Sequence, residues 1–309
     1  MAKRVLVTGG AGFIASHIAD AYVERGWDVA VLDNFSTGVR ENVNPKAELI
    51  EGDLNDPAVL ARVKSGKFDV VNHHAAQIDV RVSVADPAFD AETNVVGALR
   101  LAQAALDSGV KKFIFASSGG AAYGEPLTAP QDESHPANPI SPYGCAKLAF
   151  DYYLGYYRAV YGLQTASLRY GNVYGPRQRR DGEAGVIAIF GGKLLAGEPV
   201  VINGTGEQTR DYVFVGDVVR ANMAVSEQEL TGVFNVGTGV ETNVVELWEG
   251  IQKAVGMKGV ASHAPHKKGE QMRSVLDGSK LRTAAKLPSP VALDEGLRVT
   301  MEWLKSRSA

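Results

Sequence analysis

The sequence predicts an α/β protein that combines a doubly wound, Rossmann-like parallel sheet with a smaller mixed α/β substrate domain. In the first half of the chain, short apolar runs alternate with longer amphipathic runs, which is the order of βαβ units. A glycine-rich segment at residues 8–15 (TGGAGFIA) joins the first apolar run to the first amphipathic run. After about residue 176 the elements become shorter and more mixed, so we expect the second domain there.

Short apolar runs predict the strands of the sheet. They are residues 4–8, 28–33, 48–51, 68–72, 112–116 and 165–169. The amphipathic runs between them predict helices at residues 13–25, 57–64, 87–108 and 143–161. Pro87 begins the third of these helices, and Gly109 follows it. Ser141 and Pro142 precede the fourth, as expected for a capping residue and a proline at the first helical position.

The second half is predicted to mix helices and short strands. The helices are residues 184–196, 246–255 and 293–305, and the strands are residues 200–202 and 232–236. We therefore expect a first domain at residues 1–176 and a discontinuous second domain at residues 177–309. Pieces of about residues 210–240 are expected to return to the first domain.

Composition restricts the classes of function. The 309 residues carry a formal net charge of -3 and no long basic run, so no nucleic-acid partner is expected. No apolar segment approaches the roughly 20 residues needed to span a bilayer, and no signal peptide is apparent. We expect a soluble cytoplasmic protein that binds no membrane. His73 and His74 would point to opposite faces of a strand, so no metal site is expected.

The glycine-rich segment has the context of a dinucleotide site. Gly9 and Gly12 stand where a strand turns into a helix, which lets a pyrophosphate approach the helix N-terminus. Asp33 closes the second strand, where a carboxylate can accept hydrogen bonds from an adenosine ribose and would repel a 2′-phosphate. The sequence therefore predicts NAD rather than NADP as the cofactor.

Tyr143 and Lys147 form a second candidate site, because residues four apart lie on the same face of a helix. An unperturbed tyrosine has a pKa of about 10. A nearby ammonium favours the phenolate and would make Tyr143 a usable acid or base near neutral pH. The same spacing is common on solvated helix faces, so its interpretation depends on the other motifs.

Further motifs follow one another in a specific order. They are Asp33-Asn34, Gly52-Asp53-Leu54, His74-x-Ala76, Ser117-Ser118, Tyr143-x-x-x-Lys147, residues 170–177 (YGNVYGPR), residues 210–213 (RDYV) and residues 232–237 (GVFNVG). Together with residues 8–15, they resemble the extended short-chain dehydrogenase/reductase superfamily over nearly the whole chain. Within it, the chain is most similar to the bacterial UDP-glucose 4-epimerases. Ala15 departs from the usual glycine, but its side chain is small enough for close packing of helix and strand.

The resemblance implies a set of NAD-binding residues. They are Gly9, Gly12, Phe13, Ile14, Asp33, Asn34, Asp53, Leu54, Ala75, Asn94, Tyr143 and Lys147. Asp53 and Leu54 would lie near the adenine, and Asn94 would lie near the active site.

The resemblance also implies a catalytic group of Ser118, Tyr143 and Lys147, with Ser117 as the less favoured hydroxyl. Tyr143 would take the proton from the sugar 4-hydroxyl, Ser118 would hydrogen-bond the same oxygen, and Lys147 would hold the nicotinamide ribose. Hydride would pass from C4 to NAD+ and return to the other face of the 4-keto sugar. The implied reaction is the interconversion of UDP-glucose and UDP-galactose.

Residues 118–124 (SGGAAYG) narrow the choice of reaction. Related dehydratases and decarboxylases carry an acidic residue here, because elimination and decarboxylation need a further group beside the tyrosine. This segment has none, which favours epimerisation. Two alternatives stay open: another nucleotide-sugar enzyme of the same fold, such as a UDP-glucuronate 4-epimerase or a dehydratase, and a non-catalytic dinucleotide-binding regulator.

The second domain is expected to bind the nucleotide sugar. Asn172, Arg177 and Arg210 are candidate contacts with the sugar and the diphosphate, since guanidinium groups bind phosphate oxygens in pairs. Residues 266–270 (HKKGE) depart from the Arg and Gly-Asp usual in the family. Ser274 falls where the family limits the size of the pocket, and its small side chain would admit N-acetylated sugars.

A homodimer is also expected, because in the family the helices at residues 87–108 and 143–161 form a dimer interface. The second of these helices carries a stripe of tyrosines. They are Tyr152, Tyr153, Tyr156, Tyr157 and Tyr161. We interpret the stripe as packing or interface rather than chemistry.

Overall fold

The computed structural model describes residues 2–180, 185–266 and 271–308, and it confirms the predicted Rossmann-like α/β fold. The strands are β1 (Arg4–Thr8), β2 (Asp28–Asp33), β3 (Glu48–Glu51), β4 (Val70–His73), β5 (Lys112–Ser118), β6 (Gln164–Tyr170), β7 (Asn172–Tyr174), β8 (Val200–Asn203), β9 (Thr209–Arg210), β10 (Tyr212–Phe214), β11 (Gly232–Val236), β12 (Thr242–Asn243) and β13 (Ala261–Ala264). The helices are α1 (Phe13–Glu24), α2 (Pro57–Ser65), α3 (Val80–Ala85), α4 (Pro87–Ala91), α5 (Gly97–Asp107), α6 (Gly119–Tyr123), α7 (Pro142–Tyr161), α8 (Val186–Leu195), α9 (Val215–Glu227), α10 (Val244–Val255), α11 (Ser279–Ala285) and α12 (Leu293–Ser308). None of these helices is both long and apolar enough to cross a membrane, within the residues just given.

Seven parallel strands form the main sheet, in the order β11-β6-β5-β4-β1-β2-β3. The strand order reverses between β1 and β4, which are hydrogen-bonded neighbours. In doubly wound sheets, ligands bind in the crevice at this reversal, outside the carboxyl ends of the strands. The glycine-rich segment after β1 and the end of β4 meet there.

Helices cover both faces of the sheet and bury two apolar cores. On one face, α1 and α9 pack together and supply Ile18, Tyr22 and Val225. On the other face, α5 and α7 supply Leu101 and Phe150. Because both faces are covered, strands such as β1 and β2 have continuously apolar interiors, which is why their positions could be predicted.

A third core lies in the second half of the chain. Helices α8, α10 and α12 pack on one another around residues that include Leu194, Trp248 and Met301. Helix α10 begins with a capping box, in which Asn243 and Glu246 each accept a hydrogen bond from the other's backbone N–H. Strand β11 returns to the main sheet and pairs with β6. The boundaries of the two domains stay a prediction.

Some elements differ from those predicted. The helix predicted at residues 87–108 is divided, because Glu92–Val96 forms a turn of π-helix between α4 and α5. No capping side chain marks the start of α9, since Phe214 stands at its N-cap position and makes no side-chain hydrogen bond there. The helix predicted at residues 184–196 begins at Val186, and Ala184 lies outside the described residues.

Candidate active site

The register of the sheet brings the ends of three strands together. Thr8 pairs with His73, and His73 pairs with Phe115. The glycine-rich turn, the residues after β4 and the end of β5 therefore leave the sheet at adjacent points. The carboxyl edge of the whole sheet, which also includes the ends of β2 and β3, carries most of the predicted cofactor residues.

The glycine-rich turn is shaped for close approach of a ligand. Gly9 has a φ of +68°, and a Cβ there would lie 2.8 Å from the backbone nitrogen of Ala75. Gly12 occupies the N-cap of α1 without any side-chain cap, so the N–H groups of Phe13 and Ile14 stay available at the positive end of the helix. An anion such as a pyrophosphate fits this arrangement.

Thr8 holds the end of β4 against the turn. Its buried hydroxyl accepts hydrogen bonds from the backbone N–H groups of His74 and Ala75, both over 3.2 Å, and lies 2.7 Å from His73 Nδ1. Thr8 belongs to the glycine-rich motif, but the motif alone predicts no role for it. A polar residue closing an apolar strand is the signal that could have found this role.

Asp33 braces the same turn from the neighbouring strand. Its carboxylate is buried and accepts hydrogen bonds from the backbone N–H of Ala11, over 2.9 Å, and of Phe35, over 2.8 Å. Each oxygen accepts one of these bonds and keeps capacity for another, which the predicted ribose contact requires. Asn34 donates to the carboxylate of Asp53 over 2.8 Å, so the residues predicted to bind the adenosine part of the cofactor are joined to one another. Leu54 follows and is buried.

Asn94 lies in the turn of π-helix, and its amide is already engaged. Its Oδ1 accepts from the backbone N–H of Gln77, and its Nδ2 donates to the carbonyl of Gln77, both over 2.9 Å. Nδ2 also donates to the buried Asp90 over 3.0 Å. These bonds fix the residues that follow Ala75, so Asn94 positions this edge of the cleft. Its contact with the cofactor stays a prediction.

Tyr143 and Lys147 share one face at the start of α7, as the spacing predicts. Ser141 caps the helix by accepting from the Gly144 N–H over 3.1 Å. The Lys147 ammonium lies 5.6 Å from the centre of the Tyr143 ring and donates to the carbonyl of Ala116 over 3.0 Å. That bond ties the pair to the end of β5, where the candidate serines lie.

The electrostatics of the pair differ from the expected tuning. Burial lowers the pKa of Lys147 to about 8, partly offset by the negative charges of Asp151 and Asp90. Burial also raises the pKa of Tyr143 above its ordinary value, and Asp90 raises it further. The protein alone therefore keeps Tyr143 protonated, because burial disfavours the charged phenolate.

Ser118 and Ser117 face different surroundings. Ser117 is buried and donates to Asp151 over 3.2 Å, in a cluster that includes the ion pair of Asp151 with Arg169. Ser118 is partly exposed at the N-cap of α6, where its hydroxyl accepts from the Ala121 N–H over 3.3 Å. Of the two hydroxyls, that of Ser118 belongs to the more exposed residue.

The buried ammonium of Lys147 should make stability depend on pH. The unfolded chain keeps this proton up to about pH 10.5, whereas the folded protein releases it near its lowered pKa of about 8. In this window the unfolded state binds more protons, so stability rises with pH. The test compares wild type and Lys147→Met at equal cofactor content. Between pH 8 and pH 10, the free energy of unfolding of the wild type should increase relative to that of Lys147→Met by up to about 3 kcal/mol. Urea titrations at each pH measure the difference, and a difference that does not change with pH would contradict it.

Two predicted substrate residues lie together in the second half of the chain. Asn172 pairs with Tyr212 across β7 and β10, and its backbone N–H donates to the backbone carbonyl of Asp211 over 2.7 Å. Arg210 immediately precedes Asp211 and Tyr212, and its guanidinium donates to the carbonyl of Thr209 over 2.8 Å. Asn172 is exposed, as a ligand contact would require.

Asp211 organises the surroundings of this pair. Its carboxylate is fully buried, and burial raises its pKa, although hydrogen bonds oppose this shift. It accepts from the backbone N–H groups of Thr238, Gly239 and Leu276. The residue belongs to the motif at residues 210–213, but its contacts join segments too distant in sequence to be predicted.

Ser274 lies against the segment that begins with Ser118. It is 1% exposed, and its Oγ has no hydrogen-bond partner among the described residues. A Cβ on Gly120 would lie 3.2 Å from that oxygen. The structure therefore places the predicted size-limiting residue beside α6.

Arg177 is placed differently from Arg210. Its guanidinium forms an ion pair with Asp20 of α1 over 2.7 Å. The pair ties the loop after β7 to α1, so a diphosphate contact by Arg177 would compete with Asp20.

The segment at residues 267–270 lies outside the described residues. Within the described ranges, no group of three or more His, Cys, Asp or Glu side chains could hold a metal ion.

Comparison with known proteins identifies the family and the class of enzyme. The model of the NAD dependent epimerase/dehydratase family matches residues 5–237, and the chain belongs to this family. The UDP-glucose 4-epimerase of Mycolicibacterium smegmatis is 44% identical over 311 residues, which cover 99% of each chain. The protein is accordingly an NAD-dependent epimerase, and therefore an isomerase, as the sequence predicts.

Solved structures agree with this assignment. The UDP-glucose 4-epimerase of Thermotoga maritima, determined with UDP-glucose, superposes with a TM-score of 0.96 at 44% identity and covers 99% of this chain and 100% of its own. The Thermus thermophilus UDP-glucose 4-epimerase, in complex with NAD, has a TM-score of 0.93 at 45% identity and covers 98% of this chain and 99% of its own. The prediction of NAD as cofactor is confirmed.

Proposed function

We propose that this enzyme interconverts UDP-glucose and UDP-galactose by inverting C4 of the sugar. The proposal rests on the pair of Tyr143 and Lys147, which the hydrogen bond to Ala116 ties to β5, on Ser118 at the end of the same strand, and on a helix α6 without a carboxylate. A hydroxyl, a phenol and an ammonium are sufficient for reversible deprotonation of a sugar hydroxyl. Elimination or decarboxylation would need a further acid or base, which α6 does not supply.

Each residue has a defined role in this proposal. Tyr143 removes the proton from the 4-hydroxyl and later returns it, and Ser118 donates a hydrogen bond to the same oxygen. Lys147 holds the nicotinamide ribose. NAD+, when bound, would supply the hydride acceptor for C4 and a positive charge that would favour the Tyr143 phenolate, which burial disfavours. Arg210 and Asn172 bind the diphosphate and sugar.

Incubation with UDP-galactose tests the reaction. We expect UDP-glucose to appear without added reductant or oxidant, because hydride returns to the substrate. Turnover of UDP-glucuronate alone, or release of a dehydrated sugar, would support the alternative enzymes of the same fold. Absence of turnover with every nucleotide sugar would support a non-catalytic regulator.

We further propose that Ser274 lets the pocket accept UDP-N-acetylglucosamine. Its side chain is small and buried beside Gly120, so a larger residue there would narrow the cleft. We expect Ser274→Tyr to lower kcat/KM for the N-acetylated sugar by about tenfold or more relative to UDP-glucose. Ser274→Ala is the control and should keep both activities. Equal failure of wild type and Ser274→Tyr with UDP-N-acetylglucosamine would contradict the proposal.

We also propose that the enzyme is a homodimer that pairs through α5 and α7. Helix α7 exposes Tyr152, Tyr156 and Val160, an apolar surface that a second copy would cover. We expect light scattering to give a dimer mass for the wild type and a monomer mass for Tyr156→Glu. Val260, exposed away from α7, is the control, and Val260→Glu should stay dimeric. A monomeric wild type would contradict the proposal.

A further inference from the structure

Residues 271–276, called the strap below, run past residues 118–124, called the catalytic segment below, and past β9, the strand that carries Arg210. At the start of the strap, the backbone N–H groups of Met272 and Arg273 both donate to the carboxylate of Glu125, the second over 3.2 Å. The carbonyl of Met272 accepts from the backbone N–H of Thr209 over 2.9 Å. One peptide unit thus links Glu125 to the residue before Arg210.

The far end of the strap is fixed by buried partners. The carbonyl of Val275 accepts from the backbone N–H of Gln131 over 2.9 Å, and the Leu276 N–H donates to Asp211 over 3.1 Å. Gln131 and Asp211 are fully buried. Ser274 lies between the two ends, against Gly120. The distance between Ser274 and α6 therefore depends on the hydrogen bonds at both ends of the strap.

Glu125 is an exposed residue, and its position follows from the turn before it. Gly124 has a φ of +68°, and its carbonyl accepts from the Gln271 side chain over 2.6 Å. This turn directs Glu125 to the two strap amides. A carboxylate can accept from both with its two oxygens, whereas a glutamine offers one oxygen and a competing NH2 group.

We propose that Glu125 is a positioning residue that clamps the strap across the catalytic segment and so adjusts the room for the sugar and the placement of Arg210. Arg273 strengthens the same end, because its guanidinium forms a paired salt bridge with Glu241, with both contacts at 2.8 Å. Glu241 in turn accepts from the hydroxyl of Thr209 over 3.0 Å. The consequence for sugar discrimination rests on the function proposed above, whereas the clamp does not.

Glu125→Gln tests the clamp in the full-length holoenzyme, with Glu133→Gln as the matched control. Glu133 lies in the same loop and accepts the backbone N–H of Asn235 over 2.7 Å, and among the described residues it has no hydrogen bond to the strap. Hydrogen exchange measured by mass spectrometry should show at least about fivefold faster exchange at residues 271–273 in Glu125→Gln. Exchange in this segment should be unchanged in Glu133→Gln.

Kinetics provide the second readout. In Glu125→Gln we expect KM for UDP-glucose to rise roughly 3–10-fold with kcat changed less than about twofold, since the lost contacts position the ground state. The ratio of kcat/KM for UDP-N-acetylglucosamine to that for UDP-glucose should shift by about threefold or more. Neither value should move in Glu133→Gln.

The outcomes separate the two proposals. Unchanged exchange at residues 271–273 in Glu125→Gln, or an equal change in both variants, would overturn the clamp. Faster exchange with unaltered kinetics would overturn its effect on sugar discrimination. A wild type that turns over no nucleotide sugar would overturn the proposed function, while the exchange experiment would still decide the clamp.

Discussion

Replacing Tyr143 with phenylalanine is expected to lower kcat for epimerisation by roughly 10²–10⁴-fold, the usual contribution of a general acid–base group. The ring of Tyr143 packs at the start of α7, and the substitution removes only its hydroxyl, so the fold and the NAD content should stay as in the wild type. Lys147 keeps its hydrogen bond to the carbonyl of Ala116, which does not involve the phenol. Initial rates with UDP-galactose and the absorbance of released cofactor measure the two effects.

Tyr152→Phe is the matched control for this variant. Tyr152 lies on the same helix and is 72% exposed in the single chain, and phenylalanine keeps the apolar surface proposed for the dimer. We expect its activity to equal that of the wild type. Full activity in Tyr143→Phe would remove the phenol from the chemistry and would favour a different base.

The second large effect is expected at Gly9. Gly9→Ala places a methyl group 2.8 Å from the backbone nitrogen of Ala75 and forces alanine to a φ of +68°. The left-handed backbone alone costs about 1–2 kcal/mol. The collision adds about 1–3 kcal/mol, because the backbone of the β4 end cannot move aside as a side chain would. The same collision distorts the turn that approaches the cofactor, so NAD affinity should fall by about tenfold or more.

Gly26→Ala separates the two costs. Gly26 has a φ of +74°, and apart from its own chain neighbours a Cβ there would meet no atom within 4 Å. We expect this variant to lose only the backbone contribution to the free energy of unfolding and to bind NAD normally. Equal loss of stability in both variants, with unchanged NAD affinity, would show that the contact of Gly9 with the end of β4 is unimportant.

The main sheet could be predicted from the sequence because its strands are buried on both faces. A continuous apolar run such as β1 is the sequence pattern typical of a strand in a doubly wound sheet. The ends of helices are marked by local residues such as Ser141. The turn at Gly9 and the pair of Tyr143 with Lys147 were also predictable, since each depends on residues close in sequence.

Contacts between distant segments could not be predicted. Asp211 meets the N–H of Leu276, and Glu125 meets the strap at Met272, across long separations in the chain. No local pattern specifies such pairs. The predicted shift in the pKa of Tyr143 is wrong in direction for the same reason. The spacing reveals the ammonium four residues away, which favours a lowered pKa. The pKa is raised instead because Tyr143 is buried, and burial depends on the packing of α7 against the rest of the protein.

The most direct test of epimerisation through a 4-keto sugar uses UDP-galactose that carries deuterium at C4. We expect the UDP-glucose formed in ordinary water to keep the deuterium, because hydride leaves C4 and returns to C4 without contact with solvent. Mass spectrometry and proton NMR at C4 measure the label. Product that has gained hydrogen from water at C4, or the absence of UDP-glucose, would contradict the proposed reaction.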